Sequence, residues 1–213
     1  MNQVLEKMLE ELPEVQAGKD LWQNRFHEFD VFDHTMEYVR YLKEMTEDDD
    51  LIAAGYLHDI GKPMTAITKV KEGKIQEKEP GKPYHKFTDH EKAGEDMVRR
   101  MNPDFFREFG LNQERIAKLV GSHYTPMRGV KGMREATRYQ DFEKAYEDLI
   151  RSLDETGVPR NEVMTMFLAD SLAKGKSCSD IGELRLVRQV ILADGENLRD
   201  IYDLQKEMYG GKE

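Results

Sequence analysis

The stretch AAGYLHDIGKP, residues 53–63, decides how this chain reads. The apolar run from Leu51 to Leu57 is far shorter than the roughly 20 residues a bilayer-spanning helix needs. It ends against Gly61 and Pro63, two residues that stop helices, so it predicts a buried helix over Leu51 to about Ile60. Asp48, Asp49 and Asp50 stand just before it and supply a cap and a favourable charge for its first turn. At its far end His58 and Asp59 are adjacent. A buried carboxylate and imidazole need partners, and neighbouring helical side chains point about 100° apart. One cation can meet both only if it sits beyond the helix end.

Working outward, apolar spacing is helical nearly everywhere. Upstream it predicts helices over Asn2–Leu12, stopped by Pro13, and Asp33–Met45 with Asp33 as N-cap, joined by the linker PEVQAGKD. Downstream, TKVKEGKIQEK (Thr68–Lys78) alternates about Glu72-Gly73 and predicts the one β-hairpin. The following EPGKPYHK reads as a mobile loop. Further helices are expected at His90–Met101, Pro103–Phe109, Gln113–His123, Tyr139–Glu155, Arg160–Lys174 and Glu183–Lys206. Met36, Tyr38, Tyr41, Met164, Met166 and Phe167 sit at helical spacing and read as core. The expected fold is all-α with one small β-hairpin insertion.

Composition bounds the function. The 213 residues suffice for a sizeable core without disulfides. A single cysteine, Cys178, fits a reducing compartment and reads as a small buried or half-buried side chain rather than a nucleophile. The acidic amphipathic N-terminus is neither signal nor transit peptide, so a cytoplasmic protein with no membrane association is expected. The net charge of −10 argues against long nucleic acid as a partner. Two segments run against it: six Lys against three Glu from Lys69 to Lys86, and four Lys/Arg against Glu135 from Arg128 to Arg138. They read as basic loops for a local anion, or as solubilising surface.

Four more chemical residues keep company with the doublet. His34 opens a helix in FDVFDHTMEYV, His90 opens one in FTDHEKAGEDM, and His123 closes one in KLVGSHY. Asp170 lies within the apolar MTMFLADSL, where a lone carboxylate would be costly. Four imidazoles and two carboxylates are nitrogen and oxygen donors suited to Mn, Ni, Mg, Fe or Zn. His27 and His85 fall outside this pattern and read as surface or loop histidines, His85 with some claim to a substrate contact.

In that order along the chain, with LHDIGKP after the doublet and ADSLAK around Asp170, the sequence resembles the HD superfamily of metal-dependent phosphohydrolases. The likeness covers about residues 30–175 and is nearest the HD domain of CCA-adding tRNA nucleotidyltransferases. It implies an HD-domain helical bundle over 31–175, with an N-terminal helix and linker over 1–30 and a C-terminal helical extension over 176–213. Only about 30 residues precede the HD region, which argues against a role in tRNA 3′-end synthesis. The resemblance implies two divalent ions: His34, His58, Asp59 and Asp170 at the first, His90 and His123 at the second, and Asp59 bridging.

The activity so implied is hydrolysis of a small anionic phosphate ester, a diester or monoester of a nucleotide or nucleotide-like molecule, by a metal-bridged hydroxide. Asp59 and Lys62 are the expected catalytic residues, although Lys62 also reads as a lysine complementing a helix C-terminus. Lys82, Lys86, Arg128 and Lys131 are the expected substrate contacts. The same ligand set also serves mixed-valent diiron oxygenases, and a regulatory or binding module with structural metals is a third reading. Hydrolysis of the bacterial alarmone fits less well, because that branch carries HDxxED where this chain has HDIGK.

Overall fold

In the computed structural model, which describes residues 1–193 and 196–210, Asn2 caps the first helix, α1 (Gln3–Glu10), by accepting from Leu5 N at 2.8 Å. Pro13, expected only to stop α1, opens a short α2 (Pro13–Gln16), where its missing N–H costs nothing. After an irregular segment comes α3 (Val31–Met45). Its N-cap is Asp30 rather than Asp33: Asp30 Oδ1 accepts from Asp33 N at 2.8 Å. Asp48 caps α4 (Asp49–Leu57), as the acidic run implied, accepting from Leu51 N at 3.1 Å. Every residue of α4 from Leu51 to Leu57 is buried, so the helix that is apolar all round becomes the axis of the fold.

The chain turns after α4 into a single helical turn, α5 (Lys62–Thr65), and then into four short strands: β1 (Ala66–Thr68), β2 (Val70–Lys71), β3 (Lys74–Ile75) and β4 (His85–Phe87). The expected hairpin is β2 with β3, Val70 opposite Ile75, turned by Glu72 and Gly73, both at positive φ. A second antiparallel pair was not foreseen: β1 with β4, Ala66 opposite Phe87 and Thr68 opposite His85. This pair closes the insertion at its base. The segment expected to be mobile is fastened to the N-terminal stretch. His85 N donates to Gln23 O at 2.6 Å, and the ammonium groups of Lys78 and Lys82 lie 4.7 and 4.5 Å from the centre of the Trp22 ring.

Next comes α6 (His90–Arg100), followed by α7 (Pro103–Glu108), α8 (Gln113–Ser122), α9 (Pro126–Glu135), α10 (Tyr139–Glu155), α11 (Arg160–Ala173), α12 (Ile181–Ala193) and α13 (Leu198–Tyr209). Two expectations are corrected here. Arg128–Arg138 is not a basic loop: most of it belongs to α9, whose Val130 and Met133 are buried while Arg128 and Lys131 face solvent. Glu183–Lys206 is not one helix but α12 and α13, with Asn197 in a left-handed conformation before the second. Helix α4 packs on α3 and α8, α11 packs on α3, and α6 lies along α8. Tyr38, Leu57, Ile116, Leu119, Val163 and Phe167 fill the centre. Leu5, Leu9, Leu186 and Ile201 belong to the same buried cluster. No helix among the described residues is long and apolar enough to cross a membrane.

Gly61 lets α5 and α6 meet. A Cβ there would stand 2.1 Å from His90 O and 2.7 Å from Gly94 N, both backbone atoms that cannot swing aside. Gly61→Ala is therefore expected to cost about 3 kcal/mol, the upper range for overpacking. At 2–4 °C per kcal/mol for a chain of this size, thermal unfolding should fall by roughly 6–12 °C. An unchanged melting temperature would contradict this packing.

Candidate metal centre

The six residues singled out from the sequence converge, although up to 136 positions separate them. His34 lies on α3, His58 is the C-cap of α4 with Asp59 next to it, His90 opens α6, His123 follows α8, and Asp170 lies on α11. All six are buried. Asp59 is shared between two groups. Its Oδ2 is 3.1 Å from His58 Nε2 and 3.8 Å from His34 Nε2, and its Oδ1 is 3.5 Å from His90 Nε2 and 3.9 Å from His123 Nε2. Asp170 Oδ1 approaches His34 Nε2 at 2.9 Å.

Each imidazole is held by its other nitrogen. The Nδ1 atoms of His34, His58, His90 and His123 lie 3.1, 2.8, 3.1 and 2.7 Å from the carbonyl oxygens of Ala173, Gly55, Phe87 and Val120. A carbonyl can only accept, so Nδ1 carries the proton, and in the neutral ring Nε2 carries the lone pair. The four lone pairs then face one another and two carboxylates: His90 Nε2 and His123 Nε2 are only 3.3 Å apart. His58 Nε2 and Asp59 Oδ1 have no hydrogen-bond partner among the described residues. Asp59 Oδ2 has Lys62 Nζ at 2.6 Å but off the angle of a hydrogen bond. Converging acceptors without donors are what divalent cations satisfy, and Nδ1–H to carbonyl is the outer contact that orients a histidine ligand. The residues present fit a metal.

Charge points the same way. Burial pushes His123 down to about 3 and lowers His90, so both rings are neutral and available near pH 7. Burial opposes the charge on Asp59, yet His58 and Lys62 beside it hold its carboxyl well below the usual carboxylate range. Asp170 is likewise buried and is held low by His34. The Tyr38 ring stacks on His58, centroids 4.1 Å apart and planes 13° apart, which fixes the imidazole plane.

The site opens into a cleft of about 830 Å³. Of the expected substrate contacts, Lys86 and Lys131 line it, whereas Lys82 and Arg128 do not. Lys82 is engaged by Glu79 and the Trp22 ring. Lys62 is not a solvated helix-end lysine: it is buried, with Nζ 2.6 Å from both Asp59 Oδ2 and Gln23 Oε1. Residues not singled out individually from the sequence also appear in the lining. Gln23 is buried beneath Lys62, and Arg134 and Lys174 flank the buried Glu183 of α12. His27, expected as a surface or loop histidine, does lie in the irregular stretch before α3, but it is half-buried with its ring edge-on to His34 at 5.2 Å. Burial above all, with the nearby Lys62 charge, lowers its pKa well below the ordinary histidine value.

Comparison with known proteins bears on this arrangement. Among curated proteins the chain is similar to the A-adding tRNA nucleotidyltransferase of Deinococcus radiodurans, 26% identical over 174 residues, which are 80% of this chain and 34% of that relative. The chain thus spans about a third of the relative's length. No solved structure matches. The HD domain family matches residues 31–175. That span opens at the first residue of α3 and closes just past α11, so it takes in every element that carries one of the six clustered residues. On this match the chain belongs to the HD domain family, whose superfamily is that of metal-dependent phosphohydrolases.

Proposed function

We propose that the chain is a divalent-metal-dependent phosphohydrolase acting on a small anionic phosphate ester, a mono- or diester of a nucleotide or nucleotide-like molecule. The observation that carries this reading is the division of Asp59 between two histidine pairs whose lone pairs are all turned inward. Two divalent ions, one on each side of Asp59, would supply Lewis-acid polarisation of a phosphoryl oxygen and a water of lowered pKa. His34, His58, Asp59 and Asp170 would hold one, and Asp59, His90 and His123 the other. Mn, Ni, Fe and Zn suit this mixed nitrogen and oxygen set better than Mg, which prefers oxygen.

The chain's own groups bind and orient the substrate. The ammonium of Lys62 has three N–H donors; Gln23 takes one and Asp59 pairs with the charge, which leaves a donor for a phosphoryl oxygen. The cleft lining balances six Lys/Arg against six Asp/Glu, so two divalent ions would leave it at about +4 and selective for anions. The relative's name, that of an enzyme handling nucleotides on tRNA, supports a nucleotide as the substrate class. We read residues 1–30 and the described part of 176–213 (176–193 and 196–210) as extensions packed on the HD core, since their apolar residues enter the same cluster.

A panel of phosphate esters (cyclic nucleotides, 2′,3′-cyclic phosphates, mononucleotides and bis(p-nitrophenyl) phosphate) assayed with Mn, Ni, Mg or Fe tests the reading. Hydrolysis that requires the metal is expected. Oxygen consumption without hydrolysis would instead indicate the oxygenase branch. Once a substrate is found, neutralising Lys86 and Lys131 together should raise KM several-fold and flatten its salt dependence, with a smaller change in kcat. An unchanged KM at low ionic strength would make them mere surface.

A further inference from the structure

His27 lies outside the span matched by the family, yet it is built into the centre in the same way as the four histidines within it. Its Nδ1 is 3.2 Å from Asn24 Oδ1. That atom also accepts from Phe26 N at 2.9 Å, which identifies it as the amide oxygen. The oxygen can only accept, so His27 Nδ1 carries the proton and Nε2 carries the lone pair. The turn that holds the ring is fixed at both ends. His27 N donates to Asn24 O at 3.0 Å, and Glu28 N donates to Lys174 O at 2.9 Å, one turn beyond Asp170 on the same helix. A nitrogen of His27, a nitrogen of His34 and a carboxylate oxygen of Asp170 lie within 4.8 Å of one another, close enough to share one ion. His85, whose Nδ1 also meets a carbonyl, belongs to no such group among the described residues.

The geometry points to His27 as an additional metal ligand: its Nε2 joins His34 and Asp170 at the first position, where His34 also belongs to the adjoining group of His34, His58 and Asp59. The inference rests on the metal-centre reading above and adds to it a ligand from the N-terminal segment. It makes the two positions unequal. The first would have three imidazoles and two carboxylates, the second two imidazoles and the shared Asp59. The first should therefore bind borderline cations more tightly and fill first. It also ties the irregular segment 17–30 to metal loading, because ordering of the Asn24–His27 turn and occupancy of the first position favour each other.

Cobalt(II) titration of the full chain tests this without any substrate, since the visible absorption of the ion reports its ligand number. The native chain should take up two ions in two resolved steps. His27→Ala and His27→Gln should weaken the tighter step by about 10–100-fold and change its absorption bands, while leaving the weaker step as it was. His27→Gln preserves bulk and polarity, and an unchanged circular dichroism spectrum of either variant excludes misfolding. If both variants bind cobalt with native affinity and native bands, His27 is not a ligand and the inference fails, while the metal centre stands. If the native chain takes up no cobalt, the metal-centre reading falls with it.

Discussion

Asp59→Asn is expected to empty both metal positions and to lower turnover by at least about a thousandfold. Asparagine keeps the volume of the side chain, so packing against α4 and α6 should survive. What it loses is the charge and one of the two oxygens that stand 3.1–3.9 Å from the four inward-facing Nε2 atoms. With the amide in place, one position keeps a weak neutral ligand at best and the other receives an N–H donor. The size of the loss follows from removing preorganised charge from a buried site, where even a single donor is worth about 10²–10³ in rate. Elemental analysis of the purified variant, beside its circular dichroism spectrum, checks the expectation. Full metal content with native activity would end the assignment of Asp59.

His123→Ala should separate the two positions. It removes one lone pair from the Asp59–His90–His123 group and none from the other, so about one ion per chain should remain while turnover falls by roughly a hundredfold. If His123 contacts substrate instead of metal, the variant keeps its full metal content and shows a raised KM. The same residue carries a pH signature in the metal-free protein. Burial pushes His123 down to about 3, whereas the unfolded chain takes up a proton on it near 6.5. The folded form therefore binds fewer protons between those values, and stability falls as pH drops from about 6.5 toward 3. His123→Ala should lessen that acid sensitivity, which denaturant unfolding at pH 7 and pH 5 would measure.

The helical architecture was legible because α3, α6, α8 and α10 each carry apolar residues at helical spacing, and the six clustered residues because each sits at a helix end or in an apolar run that gives it no other use. What escaped has physical reasons. Helix α9 looks like a loop because Gly129 and Gly132 lower its helical preference, but Gly129 is there for close packing: a Cβ would stand 2.6 Å from Leu149 Cβ on α10. The β1–β4 pair joins strands of three residues about 20 positions apart, and neither is long enough to show an alternation. Asp30 and Asp33 both suit a helix cap, and only the direction of the chain entering α3 decides between them. Gln23 and His27 belong to WQNRFHEFD, a stretch with no periodicity, and their place beside Lys62 and His34 is set by tertiary contacts alone.

On the reading proposed for it, this cluster holds two ions with Asp59 between them. Anomalous diffraction from crystals of the full chain loaded with Mn(II) tests it most directly. Two peaks about 3.5–4 Å apart, the spacing of two-metal phosphoryl-transfer sites, are expected on either side of the Asp59 carboxylate. A chain that hydrolyses phosphate esters with manganese yet shows no peak at His34, His58, His90 or His123 would contradict it.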